Sequence, residues 1–132
     1  MAANAALLTA ASISSAAKVQ PARDRMSFLF LGGTGFIGPH QIEYGLSRGH
    51  LITMFNRGNK AGAYDGKVEQ LIGDRDSKVG AGLTSLGGDR RWDVVVDNSG
   101  YVPRHVRDSA ELLKGRVGRY LFTSTVAVYD YE

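Results

Sequence analysis

From Ser27 onward the chain alternates short apolar runs with longer segments in which apolar residues recur every three or four positions. Ser27-Phe28-Leu29-Phe30-Leu31 is nearly all apolar and stops at glycine, the pattern of a strand buried on both faces. Residues 36–50 carry Ile42 and Leu46 on one stripe, Pro39 where a first helical turn has no use for an N–H, and Gly49 as a stop. That combination predicts a helix. Residues 51–55 and 68–72 predict the second and third strands, and Leu83 and Leu86 in a Gly-rich stretch predict a short irregular helix. Trp92-Asp93-Val94-Val95-Val96-Asp97 is the clearest buried strand. Residues 103–114 follow with Val106, Ala110 and Leu113 on an inner face, Arg107 and Glu111 outside, and Gly115 suited to the cap. Residues 120–124 predict a fifth strand.

Strands alternating with helices over short connections imply a parallel sheet with helices on both faces. Right-handed crossovers favour the strand order 3-2-1-4-5, a doubly wound α/β fold of Rossmann type, here truncated after the fifth strand. No internal repeat is present. Residues 1–26 differ in composition: the first 17 are rich in Ala, Ser and Thr and carry no charge before Lys18. They read as a flexible leader or the remnant of a signal, without the basic start of a secretory signal. Residues 27–132 are the domain.

The joint between the first strand and the first helix is Gly32-Gly33-Thr34-Gly35-Phe36-Ile37-Gly38. A glycine-rich heptad in that position is suited to a pyrophosphate. Gly32 permits the tight turn, Gly35 lets the backbone approach phosphate oxygens, and Gly38 lets the helix lie close to the sheet. The first N–H groups of the helix, which have no partner within it, then face the anion together with the helix dipole.

Gly-Gly-Thr-Gly-Phe-Ile-Gly, written out, resembles the extended short-chain dehydrogenase/reductase group, the NAD(P)-dependent epimerase/dehydratase family. Three further segments agree in order: Gly73-Asp74-Arg75-Asp76, Asp97-Asn98-Ser99-Gly100, and residues 120–129. The resemblance implies that Asp74, with Arg75 beside it, lies by the adenine, and that Asn98 and Ser99 lie along the cofactor. It implies an oxidoreductase, epimerase or dehydratase acting by hydride transfer on a sugar nucleotide or another hydroxyl or carbonyl substrate. It also implies that Thr125, or Ser124 as the alternate, hydrogen-bonds the substrate oxygen.

The end of the second strand separates NADP from NAD. A carboxylate there would bind the ribose hydroxyls and repel a 2′-phosphate. The chain has Phe55-Asn56-Arg57-Gly58 instead, and Arg57 offers a planar fork of donors to a phosphate. NADP is therefore expected, with Asn56 able to hold ribose hydroxyls should the cofactor be NAD.

The family's Tyr-x-x-x-Lys acid/base pair is missing. None of Tyr44, Tyr64, Tyr101, Tyr120, Tyr129 or Tyr131 has lysine four positions later. The expectation is a fragment that binds cofactor, is inactive alone, and meets its small-molecule substrate through a missing carboxy-terminal region. A sheet cut at strand five predicts a marginal, aggregation-prone domain.

Composition narrows the remainder. Cysteine is absent, which removes disulfides, thiolate metal sites and a cysteine nucleophile. His40, His50 and His105 are scattered and suggest no metal site. No apolar run is long enough to cross a bilayer, so no membrane partner is expected and the compartment reads as cytoplasmic unless the leader directs export or organelle entry. Of 16 basic and 13 acidic side chains, residues 1–26 hold Lys18, Arg23, Arg25 and Asp24, leaving 13 and 12. That balance argues against a dedicated nucleic-acid binder. The competing reading is a non-catalytic Rossmann protein, and certain plastid relatives of that kind bind RNA. Arg104, His105, Arg107, Arg116 and Arg119 keep it open, although those five also suit a solvated helix face and its flanks.

Overall fold

The alternation of side chains along a strand explains how this sheet is covered on both sides. The computed structural model describes residues 19–60, 64 and 66–125. Its five strands are β1 (Ser27–Leu31), β2 (Leu51–Asn56), β3 (Glu69–Ile72), β4 (Trp92–Asp97) and β5 (Val117–Phe122), all parallel, in the order β3-β2-β1-β4-β5. Leu29, Leu31, Phe55 and Val95 join Leu83, Leu86 and Leu113 in one buried cluster. Phe30, Ile52 and Met54 join Ile42 in another. Ile42 belongs to helix α1 (Gly38–Ser47); Leu86 closes a single 3-10 turn at Thr84–Leu86, and Leu113 ends helix α2 (Pro103–Leu113). Helix α1 thus covers one face, and the 3-10 turn and α2 the other. Each fully buried Leu, Ile or Phe contributes about 1.5–3 kcal/mol relative to exposure.

The expected strand order holds. The boundaries differ where tertiary pairing outweighs local propensity. Strand β5 begins three residues earlier than the apolar run suggests, because Val117 pairs with Trp92 and the Trp92 N–H donates to Arg116 O. Gly118 and Arg119 disguise this start; a Cβ on Gly118 would lie 2.8 Å from Asp93 O, so close approach to β4 requires glycine. Helix α1 starts at Gly38 rather than residue 36, because the backbone bends through residues 34–37 and Ile37 is the cap. On α2 the deepest residues are Ser109 and Leu113, with Val106 and Ala110 only half-buried. Ser109 is tolerated there because its hydroxyl lies 2.8 Å from both His105 O and Tyr120 Oη.

Residues 22–26 run along the domain: Ala22 N–H donates to Arg48 O, Met26 N–H to His50 Nδ1, and Leu51 N–H to Met26 O. The leader reading for residues 1–18 lies outside the described residues. At the other edge, β5 exposes Leu121 and Phe122. Among the described residues, no helix is long and apolar enough to cross a membrane.

Candidate functional site

In this strand order β1 has β2 on one side and β4 on the other, so the loops leaving β1 and β4 diverge to opposite faces. A crevice opens there at the carboxyl ends of the strands. It has a volume of about 620 Å³ and is lined by the Gly32–Gly38 loop and by the residues leaving β2, β3 and β4. Gly32, Gly33, Thr34, Gly35, Phe36, Ile37, Gly38, Asn56, Arg57, Asp74, Arg75, Asn98 and Ser99 all border it. Ser124 and Thr125 do not; they follow β5 and are exposed.

Three of the four loop glycines are explained by packing within the protein. A Cβ on Gly32, which sits at φ +77°, would come within 2.9 Å of Ser99 Cβ. One on Gly33 would come within 2.7 Å of Ile42 Cδ1 and Met54 Sδ, and one on Gly38 within 2.7 Å of the Gly33 backbone. The close approach at Gly38 is therefore to the loop itself. Gly35 is different: nothing lies within 4 Å of the position its Cβ would take, and its φ is not positive. No internal contact accounts for the missing side chain, which leaves bare backbone facing the crevice. Helix α1 begins directly afterwards, without a side-chain cap and without an acidic residue in its first turn. Its first amide groups are thus available to an outside acceptor.

The loop after β2 folds back over this turn. Asn56 Oδ1 accepts the Gly58 N–H at 2.8 Å and the Gln70 side-chain amide at 2.8 Å, forming a local turn that presents Arg57 outward. Lys60 Nζ donates to Thr34 O, and Tyr64 Oη donates to Gly33 O at 2.8 Å. Burial, and then the nearby Glu43 carboxylate, push the Tyr64 hydroxyl above its ordinary pKa, so it stays a donor to that carbonyl. Lys60 also borders the crevice, and adds a cation three residues beyond Arg57 that the strand-end pattern did not reveal. Phe36 and Tyr101 stand at the rim, 94% and 85% exposed.

Under the crevice lies a buried polar cluster that sequence reasoning missed. Asp97, fully buried, accepts hydrogen bonds from Arg75 Nη2 at 2.6 Å, Tyr120 Oη at 2.6 Å and the Ser99 N–H at 3.1 Å. Arg75 is 8% exposed, and its Nη2 also donates to His105 O; its Nε and Nη1 are buried without a partner among the described residues. Arg75 therefore forms the floor, held from below, whereas the resemblance had set it simply beside Asp74. Burial, reinforced by Asp97, pushes the Tyr120 hydroxyl up to about 12. Asp74 accepts the Asp76 N–H at 2.8 Å. Asn98 receives Thr123 Oγ1 at 2.7 Å and donates to Gln41, while Ser99 Oγ donates to Leu31 O at 3.0 Å. The cluster fixes the loop after β4 as a rigid wall. Its only sequence signal was a carboxylate closing an apolar strand.

The five basic positions flanking α2 do not form one free cationic face. Arg104 pairs with Asp76 and Arg107 with Asp108, and Arg116 donates to the carbonyls of Leu86 and Leu112. His105 is half-buried, and Arg119 is exposed on β5.

No protein-family model matches the chain. The chloroplast stem-loop binding protein of 41 kDa b of Arabidopsis thaliana is similar to it, 29% identical over 123 residues. The match takes in 82% of this chain but 31% of that relative, so the chain spans about a third of the relative's length.

Proposed function

We propose that this chain is a dinucleotide-binding domain that holds the pyrophosphate of NADP on the Gly32–Gly38 loop. The observation that carries the reading is Gly35: a glycine with neither a packing nor a conformational reason of its own, beside an uncapped helix start and at the mouth of the crevice. A pyrophosphate needs bare backbone and unpartnered amides together. In this reading Arg57, with Lys60 beside it, meets the 2′-phosphate, Asn56 holds Arg57 in place, and Asp74 meets the adenine. Asn98 and Ser99 form the wall on the nicotinamide side. When bound, the nicotinamide would supply the hydride acceptor or donor for an epimerase, dehydratase or reductase. Ser124 or Thr125 would then serve the substrate oxygen only after the segment following β5 turns toward the crevice.

Calorimetric titration with NADPH and NADH tests the cofactor choice. The reading expects NADPH to bind more tightly, and Arg57→Ala to remove about 10- to 100-fold of its affinity, the worth of one charge-assisted phosphate contact. Equal affinity for both nucleotides in the wild type would reject NADP.

A second reading is favoured by the Arabidopsis relative, whose name states stem-loop binding. In that reading this chain binds structured RNA through its phosphate backbone.

A further inference from the structure

In a parallel sheet every strand begins at the same rim, so residues just before each strand form a row even though they are scattered in sequence. Here each strand is preceded by a cation: Lys67 before β3, Arg48 before β2, Arg25 before β1, Arg90 and Arg91 before β4, and Arg116 before β5. With neighbouring strands about 4.8 Å apart, the row is roughly 19 Å long. Arg23 and Lys114 extend it, which makes eight cations against four carboxylates, Asp24, Glu69, Asp89 and Asp93.

Two of those carboxylates are already engaged. Glu69 pairs with Arg90, which holds its carboxyl below the usual range, and Asp93 accepts the Ser27 N–H and hydroxyl. Arg91 and Arg116 are tied to main-chain carbonyls, which fix a guanidinium without cancelling its charge. Among the described residues, Arg25, Lys67 and Arg91 form no ion pair, and all three are exposed. The same three border a shallow cavity of about 650 Å³ at this rim. At the opposite rim, Arg75, Arg104 and Arg107 are each paired with an aspartate, while Arg57, Lys60 and Lys78 are exposed and form no ion pair among the described residues.

The geometry points to this rim as the surface that takes an RNA backbone, at the far end of the sheet from the nucleotide crevice. The inference rests on the second reading above and names its surface. A row of cations running across five strands, in excess over its carboxylates and with Arg25, Lys67 and Arg91 free of ion pairs among the described residues, suits consecutive phosphates and contributes affinity without base selectivity. It leaves the crevice free for a nucleotide.

The test is fluorescence anisotropy of a labelled RNA hairpin across a salt series. It compares the full chain with two triple variants of equal charge loss: Arg25→Gln/Lys67→Gln/Arg91→Gln at the rim, and Arg57→Gln/Lys60→Gln/Lys78→Gln at the crevice end. Emission of Trp92 and the melting curve confirm that each is folded. The expected result is binding that weakens with salt, a rim variant at least about tenfold weaker with a salt slope smaller by about 2–3, and a crevice variant close to wild type. Equal weakening in both variants, or loss only in the crevice variant, would overturn the location while leaving RNA binding intact. No hairpin binding by the wild type would overturn the second reading and this inference with it. Binding to phosphatidylglycerol vesicles but not to the hairpin, lost in the rim variant, would overturn it in favour of a membrane surface.

Discussion

The buried Arg75–Asp97 pair gives the largest single-residue effect expected in this fold. Asp97 is fully buried and Arg75 nearly so, and the Asp97 carboxylate gathers the guanidinium, the Tyr120 hydroxyl and the Ser99 N–H. Removing one charge strands the other in a low-dielectric interior. Asp97→Leu and Arg75→Met should therefore each cost about 3–5 kcal/mol. A domain of this size has only about 5–15 kcal/mol in total, so either variant should be close to unfolding. The double variant replaces the pair with apolar side chains; the Tyr120 hydroxyl keeps Ser109 Oγ at 2.8 Å, which leaves the Ser99 amide short of an acceptor, at about 1–3 kcal/mol. The two changes together should thus cost less than either alone. Urea unfolding can be followed through Trp92, the sole tryptophan, which is buried against Thr53. Comparable m-values across the four proteins would make the comparison valid. Single variants within 1 kcal/mol of wild type, or a double variant costing the sum of the two, would refute the reasoning.

Two of the loop glycines should part company. Gly38→Ala places a Cβ 2.7 Å from the Gly33 backbone, which has nowhere to go, and should cost about 1–3 kcal/mol in a thermal melt. Gly35→Ala meets nothing within 4 Å and should change stability by less than about 0.5 kcal/mol. The Tyr120 hydroxyl, at about 12 in the fold against 10.0 ordinarily, is held neutral after its unfolded counterpart ionises. Its contribution should be fully present below pH 10 and fade as pH rises toward 12. The stability difference between wild type and Tyr120→Phe should accordingly be flat from pH 6 to 9 and decline above 10, as read from urea midpoints.

What was legible in the sequence is what period and punctuation encode. Strands β1, β2 and β4 are continuous apolar runs bounded by polar or glycine residues, and the sheet order follows from their alternation with helices. Strand β5 was displaced because Gly118 and Arg119 belong to it through pairing with β4, which no local propensity reports. The glycine loop is plain in the sequence, yet what separates Gly35 from its three neighbours is set by the positions of Ser99, Ile42, Met54 and the loop backbone. Asp97, Tyr120 and Ser109 come from two strands and a helix, and their cluster exists only in three dimensions. The cationic rim stayed hidden for a related reason. Net charge averages over the chain, whereas parallel topology gathers the residues preceding five strands onto one edge.

The proposed nucleotide site depends on the bare backbone at Gly35, and calorimetric titration of wild type and Gly35→Val with NADPH tests that most directly. Saturable one-to-one binding by the wild type is predicted, weakened at least about tenfold in Gly35→Val because a side chain there would stand where the phosphates approach, with the melting temperatures matching. Undiminished NADPH binding by a folded Gly35→Val, or no binding by a folded wild type, would contradict it.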